Sequence, residues 1–337
     1  MHIGVIGCGM VGLTTALELQ KEFRNAQISI VADKFNEDTC SYVAAGLFRP
    51  STSFTGPTKD ITYKWIQDSY EYWDNIRRSS EASKAGVCQL SGYIFSKVNP
   101  SIVRNEFLEK VLPIYRQADE RELRLCQGDW KYGSFFTTIL TESKMFLPYA
   151  ADKFIQQNGK IHSQNIESFS KLQGKFDIIV NCTGLGAQNL CEDQQLVPIR
   201  GQIIKVKAPW IKMAFYGEND TYIIPGFEGV ILGGCRQYES YKTEICQYDK
   251  MSIQERCYNM LPSLKKSQFI RDACGLRPHK SIVRVEPEFY DTKTNGKLKI
   301  VHNYGHGGYG ICTSPGTAKY SVELVKDLHS SSNLSKL

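Results

Sequence analysis

The chain has 337 residues, 42% of them hydrophobic and 23% charged, which is ordinary globular usage and excludes disordered and fibrous classes. At about 150 residues per domain this length predicts two domains, with core enough to fold without disulfides or metal. The 41 Lys and Arg exceed the 35 Asp and Glu by 6, and the surplus forms no basic stripe, which argues against nucleic acid as a partner.

The opening predicts strand, tight turn and helix. His2–Ile6 is a short apolar run, Gly7-Cys8-Gly9-Met10-Val11-Gly12 follows, and residues 13–19 are apolar at helical spacing. This first apolar stretch is too short and glycine-interrupted for a membrane span, and no signal peptide is read in it. Residues 28–32 predict a second strand that ends at Asp33, completing a βαβ opening. Residues 60–82 predict a helix whose Trp65, Tyr70, Tyr72, Trp73 and Ile76 are read as core packing. Asp119-Glu120-Arg121-Glu122-Leu123 predicts another helix start. Residues 176–181 predict a buried strand closed by the turn Cys182-Thr183-Gly184. From Gly201 the pattern turns β-rich, broken by a helix over 252–261. A strand over 297–303 enters a glycine-dense loop and a last helix over 315–328. Residues 330–333 read as a mobile tail. The final Ser335-Lys336-Leu337 matches an address read by the peroxisomal import receptor, so the peroxisome matrix is the expected location.

The glycine run carries chemistry. Its first glycine makes the turn, its second lets backbone approach a pyrophosphate, and its third lets helix and strand pack closely. The helix N-terminus then offers free N–H groups to phosphate. Asp33 stands about 20 residues on, where an acidic residue binds a ribose hydroxyl. Dinucleotide binding is the expectation, and both NAD and FAD use such an opening. Two later segments bear on the choice. Residues 177–184 form a strand running into a small-residue turn. His302 to Gly310 packs four glycines into six residues just before a helix, a backbone-lined cradle suited to a flavin carbonyl that gains charge on reduction. The 11 cysteines are scattered without a CxxC pair, which suits a reducing interior, and no His/Cys/Asp cluster has metal-ligand spacing, so no metal is expected.

At this point the chain resembles the D-amino acid oxidase family of FAD enzymes over nearly its full length. The likeness rests on seven segments in order: 7–12, Val43-Ala44-Ala45-Gly46-Leu47, Val180-Asn181-Cys182-Thr183-Gly184, Arg200-Gly201-Gln202, Tyr222-Ile223-Ile224-Pro225-Gly226, Gly275-Leu276-Arg277-Pro278 and 302–310. The resemblance implies an α/β fold, with a Rossmann-like FAD-binding domain (1–50, 145–195 and 285–337) interrupted by a mixed β-sheet substrate-binding domain (51–144 and 196–284). It implies FAD contacts at Gly7, Gly9, Met10, Val11, Gly12, Asp33, Lys34, Cys40, Ser41, Ala45, Gly46, Leu47, Ile166 and Thr183. Gly307, Gly308, Tyr309, Gly310, Ile311 and Cys312 match the flavin-facing loop. Cys40 stands where a hydroxyl residue is usual.

The resemblance also implies a substrate site, with Gly308 at its flavin side. Arg277 resembles the clamp on the substrate α-carboxylate, a task suited to a planar fork, and Tyr222 resembles its hydroxyl partner. Arg236 stands where oxidases of neutral D-amino acids carry an apolar residue and D-aspartate oxidases carry Arg. Acidic D-amino acids (D-Asp, D-Glu), with O₂ as electron acceptor, are therefore the expected substrates, and neutral D-amino acids are the alternative. The lid over 213–220 departs from the D-aspartate oxidase pattern: Tyr216 stands where another Arg is typical, and Lys212 is the nearest cation. His302 and His306 are read as structural, because hydride can leave Cα of an unprotonated amine without a protein base. The rival readings are an NAD-dependent dehydrogenase and a non-catalytic flavin-binding module.

Overall fold

A computed structural model describes residues 1–292 and 296–334, with side chains described through residue 330. Its strands, in chain order, are β1 (His2–Ile6), β2 (Gln27–Ala32), β3 (Val87–Ser96), β4 (Ile114–Gln117), β5 (Tyr132–Thr141), β6 (Lys160–Ser163) and β7 (Ile178–Asn181). They continue with β8 (Val197–Lys207), β9 (Ala214–Tyr216), β10 (Tyr222–Pro225), β11 (Val230–Gly233), β12 (Gln237–Tyr238), β13 (Gln268–Asp291) and β14 (Lys297–His306). The long helices are α1 (Met10–Glu22), α2 (Lys59–Arg77), α3 (Ser143–Gln156), α4 (Gln247–Met260) and α5 (Gly310–Leu334). The strands run along one path, β4-β5-β3-β9-β10-β11-β8-β13-β14-β7-β1-β2-β6, with β12 paired to β8.

One end of this sheet, β14-β7-β1-β2-β6, is parallel. Apart from the exposed edge strand β6, these strands are rich in Ile and Val buried on both faces, among them Ile3, Val5, Ile30, Ile179, Val180, Ile300 and Val301, as a sheet covered by helices requires. Helix α1 packs between α3 and α5, and α2 lies against α5. The tryptophans of α2 hold that last contact. Trp65 and Trp73 are fully buried, and the Trp73 indole donates to the Cys312 carbonyl at 3.2 Å. The other end is largely antiparallel, from β8 through β11, β10 and β9, with β3 parallel to β9. It has its own apolar cluster, in which Phe95, Ile204, Leu232 and the α4 residues Ile253 and Cys257 meet. The long β13 bridges the two ends, pairing with β8 over its first part and with β14 over its second.

Three expectations are corrected. The Asp119 cap forms, accepting from the N–H groups of Arg121 and Glu122 at 2.8 and 2.9 Å. It opens only a single 3₁₀ turn at Glu122–Arg124, because no apolar stripe follows it. The last helix starts at Gly310 and contains Pro315. The hydroxyl of Ser69, on α2, accepts the N–H of Gly316 at 2.8 Å and so supports the turn around that proline. The same helix runs on to Leu334 and takes in the stretch expected to be a mobile tail. Ser335, Lys336 and Leu337 lie outside the described residues. Among the described residues no helix is long and apolar enough to cross a membrane, and no group of three His, Cys, Asp or Glu could hold a metal ion.

Candidate active site

A single cleft of about 1260 Å³ is lined both by the glycine turn after β1 and by the arginines of the antiparallel region. Gly7, Gly9, Met10 and Val11 form one part of its wall, with Asp33 and Lys34 at the end of β2. Gly7 has φ +108°, and a Cβ there would collide with the Cys182 carbonyl oxygen. Both the conformation and the close approach therefore demand glycine. Gly12 does not line the cleft. A Cβ on it would strike the Gly7 carbonyl, so its task is the close packing of α1 on the turn. The Met10 N–H at the start of α1 donates to the Ser41 hydroxyl at 3.1 Å, which ties the segment around Cys40 to the helix N-terminus. Cys40, Ser41, Ala45, Gly46, Leu47, Ile166 and Thr183 all line the cleft, as do 307–312. The Thr183 hydroxyl donates to Asn181 Oδ1 at 2.8 Å, which fixes the turn after β7.

The antiparallel region supplies the side chains. Register places Gly275 opposite Gly201 and Arg277 opposite Ile199 across β13 and β8. A Cβ on Gly201 would strike the Arg277 guanidinium, and one on Gly308 would sit 3.3 Å from its Cδ. Arg277 is thus sandwiched by two glycines, with Nη1 donating to the Cys235 carbonyl at 3.0 Å. It forms no ion pair among the described residues. The Tyr222 ring lies against Gly233 and Gly234. Burial raises its phenol above the usual range, against the pull of Arg277. Beneath this wall, the buried Arg200 pairs with Asp249 at 2.7 Å and donates to Gln202 at 2.8 Å and to the Lys242 and Glu244 carbonyls. The Arg200-Gly201-Gln202 motif therefore combines a structural anchor with the gap that admits Arg277.

Arg236 lines the same cleft with its side chain 43% exposed, and its Nε lies 3.0 Å from Asp220 Oδ1. Asp220 sits in a tight turn with Asn219, both at positive φ (57° and 55°). Arg236 also acts on Tyr309. Burial works to raise the Tyr309 phenol, yet the Arg236 charge and hydrogen bonds to Ser51 and Ser53 outweigh it and hold the phenol below its usual range. The expected lid is in its first part the sheet strand β9, paired to β3 and β10. Lys212 is exposed and stands outside the cleft lining. Sequence reasoning missed Arg49, Ser53 and Asp220, all of which line the cleft. Arg49 alone had a signal, standing two residues beyond the 43–47 segment. His306 is fully buried, shares a 2.9 Å hydrogen bond with Thr317, and is pushed down to about 3 by burial. His302 bonds Glu288 at 2.9 Å, and its burial outweighs that carboxylate and lowers its pKa.

A glycine-turn cradle is thus joined, in one cleft, to a wall carrying arginine and tyrosine, the layout of a dinucleotide-binding protein with a second compartment beside the cofactor turn. Residues 2–324 match the FAD dependent oxidoreductase family. The chain belongs to that family and is an FAD-dependent oxidoreductase. It is 34% identical to a D-amino acid oxidase of Dugesia ryukyuensis, over 97% of this chain and 98% of that one. It is equally 34% identical to a D-aspartate oxidase of Homo sapiens, over 97% and 95% of the two chains. In fold it is similar to a glycine oxidase from Bacillus cereus (TM-score 0.78, 17% identity, covering 97% and 95%). It is also similar to an FAD-bound L-alpha-glycerophosphate oxidase from Mycoplasma pneumoniae (TM-score 0.72, 15% identity, covering 96% and 94%). FAD fits the residues present, since the cleft joins the Gly7 turn and Asp33 to the 307–312 loop and the gap above Gly7 closes to any larger residue.

Proposed function

We propose that this enzyme oxidises D-amino acids, preferring those with an acidic side chain, and releases a 2-oxo acid, ammonia and hydrogen peroxide. One observation carries the reading. Arg277, with no carboxylate partner among the described residues, faces the cleft beside Tyr222, and a second arginine, Arg236, stands on the same lining. The relatives named D-amino acid oxidase and D-aspartate oxidase support it. Arg277 holds the α-carboxylate through its fork, and the protonated Tyr222 hydroxyl donates to the same group. Arg236 offers a cation to a side-chain carboxylate, shared with Asp220. Asp33, the 7–12 turn and the 307–312 loop hold FAD, which, when bound, accepts the hydride from Cα and passes the electron pair to O₂. Orientation by these fixed groups accounts for much of the rate. No histidine base is called on: His306 and His302 are committed to core hydrogen bonds. In this reading the parallel region carries the cofactor and the antiparallel region the substrate.

The test is a peroxide assay of the purified holoenzyme on D-Asp, D-Glu, D-Met, D-Ala and their L-forms. The reading expects D-Asp and D-Glu to lead in kcat/KM and the L-forms to be inert. A lead by D-Met or D-Ala would move the enzyme to neutral substrates. We also propose delivery to the peroxisome matrix through Ser335, Lys336 and Leu337. Deleting these three residues should leave the enzyme active in the cytosol, and retention in peroxisomes would refute that address.

A further inference from the structure

Arg49 lies in the segment that leaves the cofactor cradle, and its backbone is pinned on both sides. The Phe48 N–H donates to the Ile139 carbonyl at 2.8 Å, and the Pro50 carbonyl accepts from the Asn105 amide at 2.9 Å. The Arg49 guanidinium lies over the Tyr216 ring, 4.1 Å from its centre. The Tyr216 ring in turn stands 5.9 Å from that of Tyr222. Arg49 therefore belongs to the end of the cleft where Tyr222 and Arg277 stand, and it lines that cleft. Its Nε is buried without a hydrogen-bond partner, and no carboxylate pairs with it among the described residues. Arg236 differs, because Asp220 already meets its charge at 3.0 Å.

A guanidinium with its Nε withdrawn from water and no anion beside it is left incompletely paired, and a carboxylate arriving in the cleft supplies the missing acceptor. The Tyr216 face holds the planar fork ready through a cation–π contact, and no internal counter-ion has to be displaced. We propose that Arg49, stacked on Tyr216, is the specificity residue that pairs with the side-chain carboxylate of an acidic D-amino acid, with Arg236 in a supporting place. This rests on the acidic-substrate reading above. It also explains how the chain manages with a tyrosine at position 216: the ring positions a cation that comes from a different segment.

The experiment compares kcat/KM for D-Asp and D-Met in wild-type holoenzyme, Arg49→Gln and Arg49→Lys. Binding of malonate and of propionate to each holoenzyme is measured by calorimetry alongside. The expected result is a D-Asp to D-Met ratio at least tenfold lower in Arg49→Gln, with malonate binding weakened relative to propionate, and Arg49→Lys between the two. Should Arg49→Gln fail to fold, Arg49→Lys carries the test, since it keeps charge but loses the planar stack, and its ratio must fall. A wild-type preference for D-Asp that survives unchanged in these variants, with malonate binding intact, would overturn the role of Arg49 alone. A wild-type enzyme with no preference for D-Asp would overturn the acidic reading and this inference together.

Discussion

The parallel and antiparallel ends of the sheet specify their halves of the cleft by different means. At the parallel end the backbone does the shaping, through a left-handed Gly7, a carbonyl of Cys182 against it, and an α1 N-terminus tied to Ser41. At the antiparallel end, backbone only makes room. Gly201 and Gly308 clear a slot for Arg277, and the lining carries charged side chains contributed by distant segments, Arg49, Asp220, Arg236 and Arg277. In the shape-based half, Gly7, Gly12 and Gly46 leave no room for a side chain, since a Cβ on any of them would strike a backbone carbonyl oxygen. A charge-based half can be retuned one residue at a time, because each cation's effect depends on whether the protein already supplies its counter-ion.

That contrast can be broken most severely at Gly7. Gly7→Ala places a Cβ against the Cys182 carbonyl at a φ of +108°, strained on both counts. The purified variant should lack flavin absorbance, and a fully yellow Gly7→Ala protein would reduce the turn to a dispensable feature. A smaller effect follows from His306, which is buried and neutral in the fold with its value pushed down to about 3 from 6.5. Below about pH 6.5 the unfolded chain binds a proton that the folded chain refuses, so stability falls as pH drops from there toward 3. With FAD saturating, the urea midpoint of the wild type should drop between pH 7.5 and 5.5, and that of His306→Gln should drop less. Equal drops would assign the acid sensitivity to other groups. The smallest effect concerns the half-exposed Asp220–Arg236 pair, of a kind worth about 1 kcal/mol or less. Asp220→Asn removes a negative charge near an incoming dicarboxylate and frees Arg236, so the D-Asp to D-Met ratio should rise a few-fold. A fall in the ratio would show that Asp220 orders the arginine rather than competing for it.

The parallel half was legible in the sequence because its determinants are local. The 7–12 run, Asp33 at a strand end, and the 302–310 loop each sit within one turn or strand, and all but Gly12 among the expected cofactor residues line the cleft. Gly12 serves packing, as the third glycine of such a turn should. The antiparallel half was legible only where a motif fixed a side chain, as at Gly275-Leu276-Arg277-Pro278. Arg49 stands beside a motif but not within one, and its meaning depends on Tyr216, far along the chain, and on the absence of a carboxylate paired to it among the described residues. The Asp220 partner of Arg236 was hidden for the same reason, since a turn with two positive-φ residues must form before the pair can meet. The Asp119 misreading has the opposite cause. The cap was read correctly, but without an apolar face it could not propagate a helix.

The division of labour inside the substrate end is tested most directly by the ratio of D-Asp to D-Met kcat/KM in Arg277→Leu and Arg236→Leu holoenzymes. Arg277 should serve the α-carboxylate that every substrate carries. Its loss removes a charge-assisted hydrogen bond worth about 1.5–3 kcal/mol, or about tenfold to a few hundredfold in rate, for both substrates together. Arg236→Leu also leaves Asp220 facing the cleft uncompensated, so D-Asp should suffer and D-Met should not, and the ratio should fall at least several-fold. An unchanged ratio in Arg236→Leu, or a ratio that collapses in Arg277→Leu, would contradict the assignment of one cation to the shared carboxylate and others to the side chain.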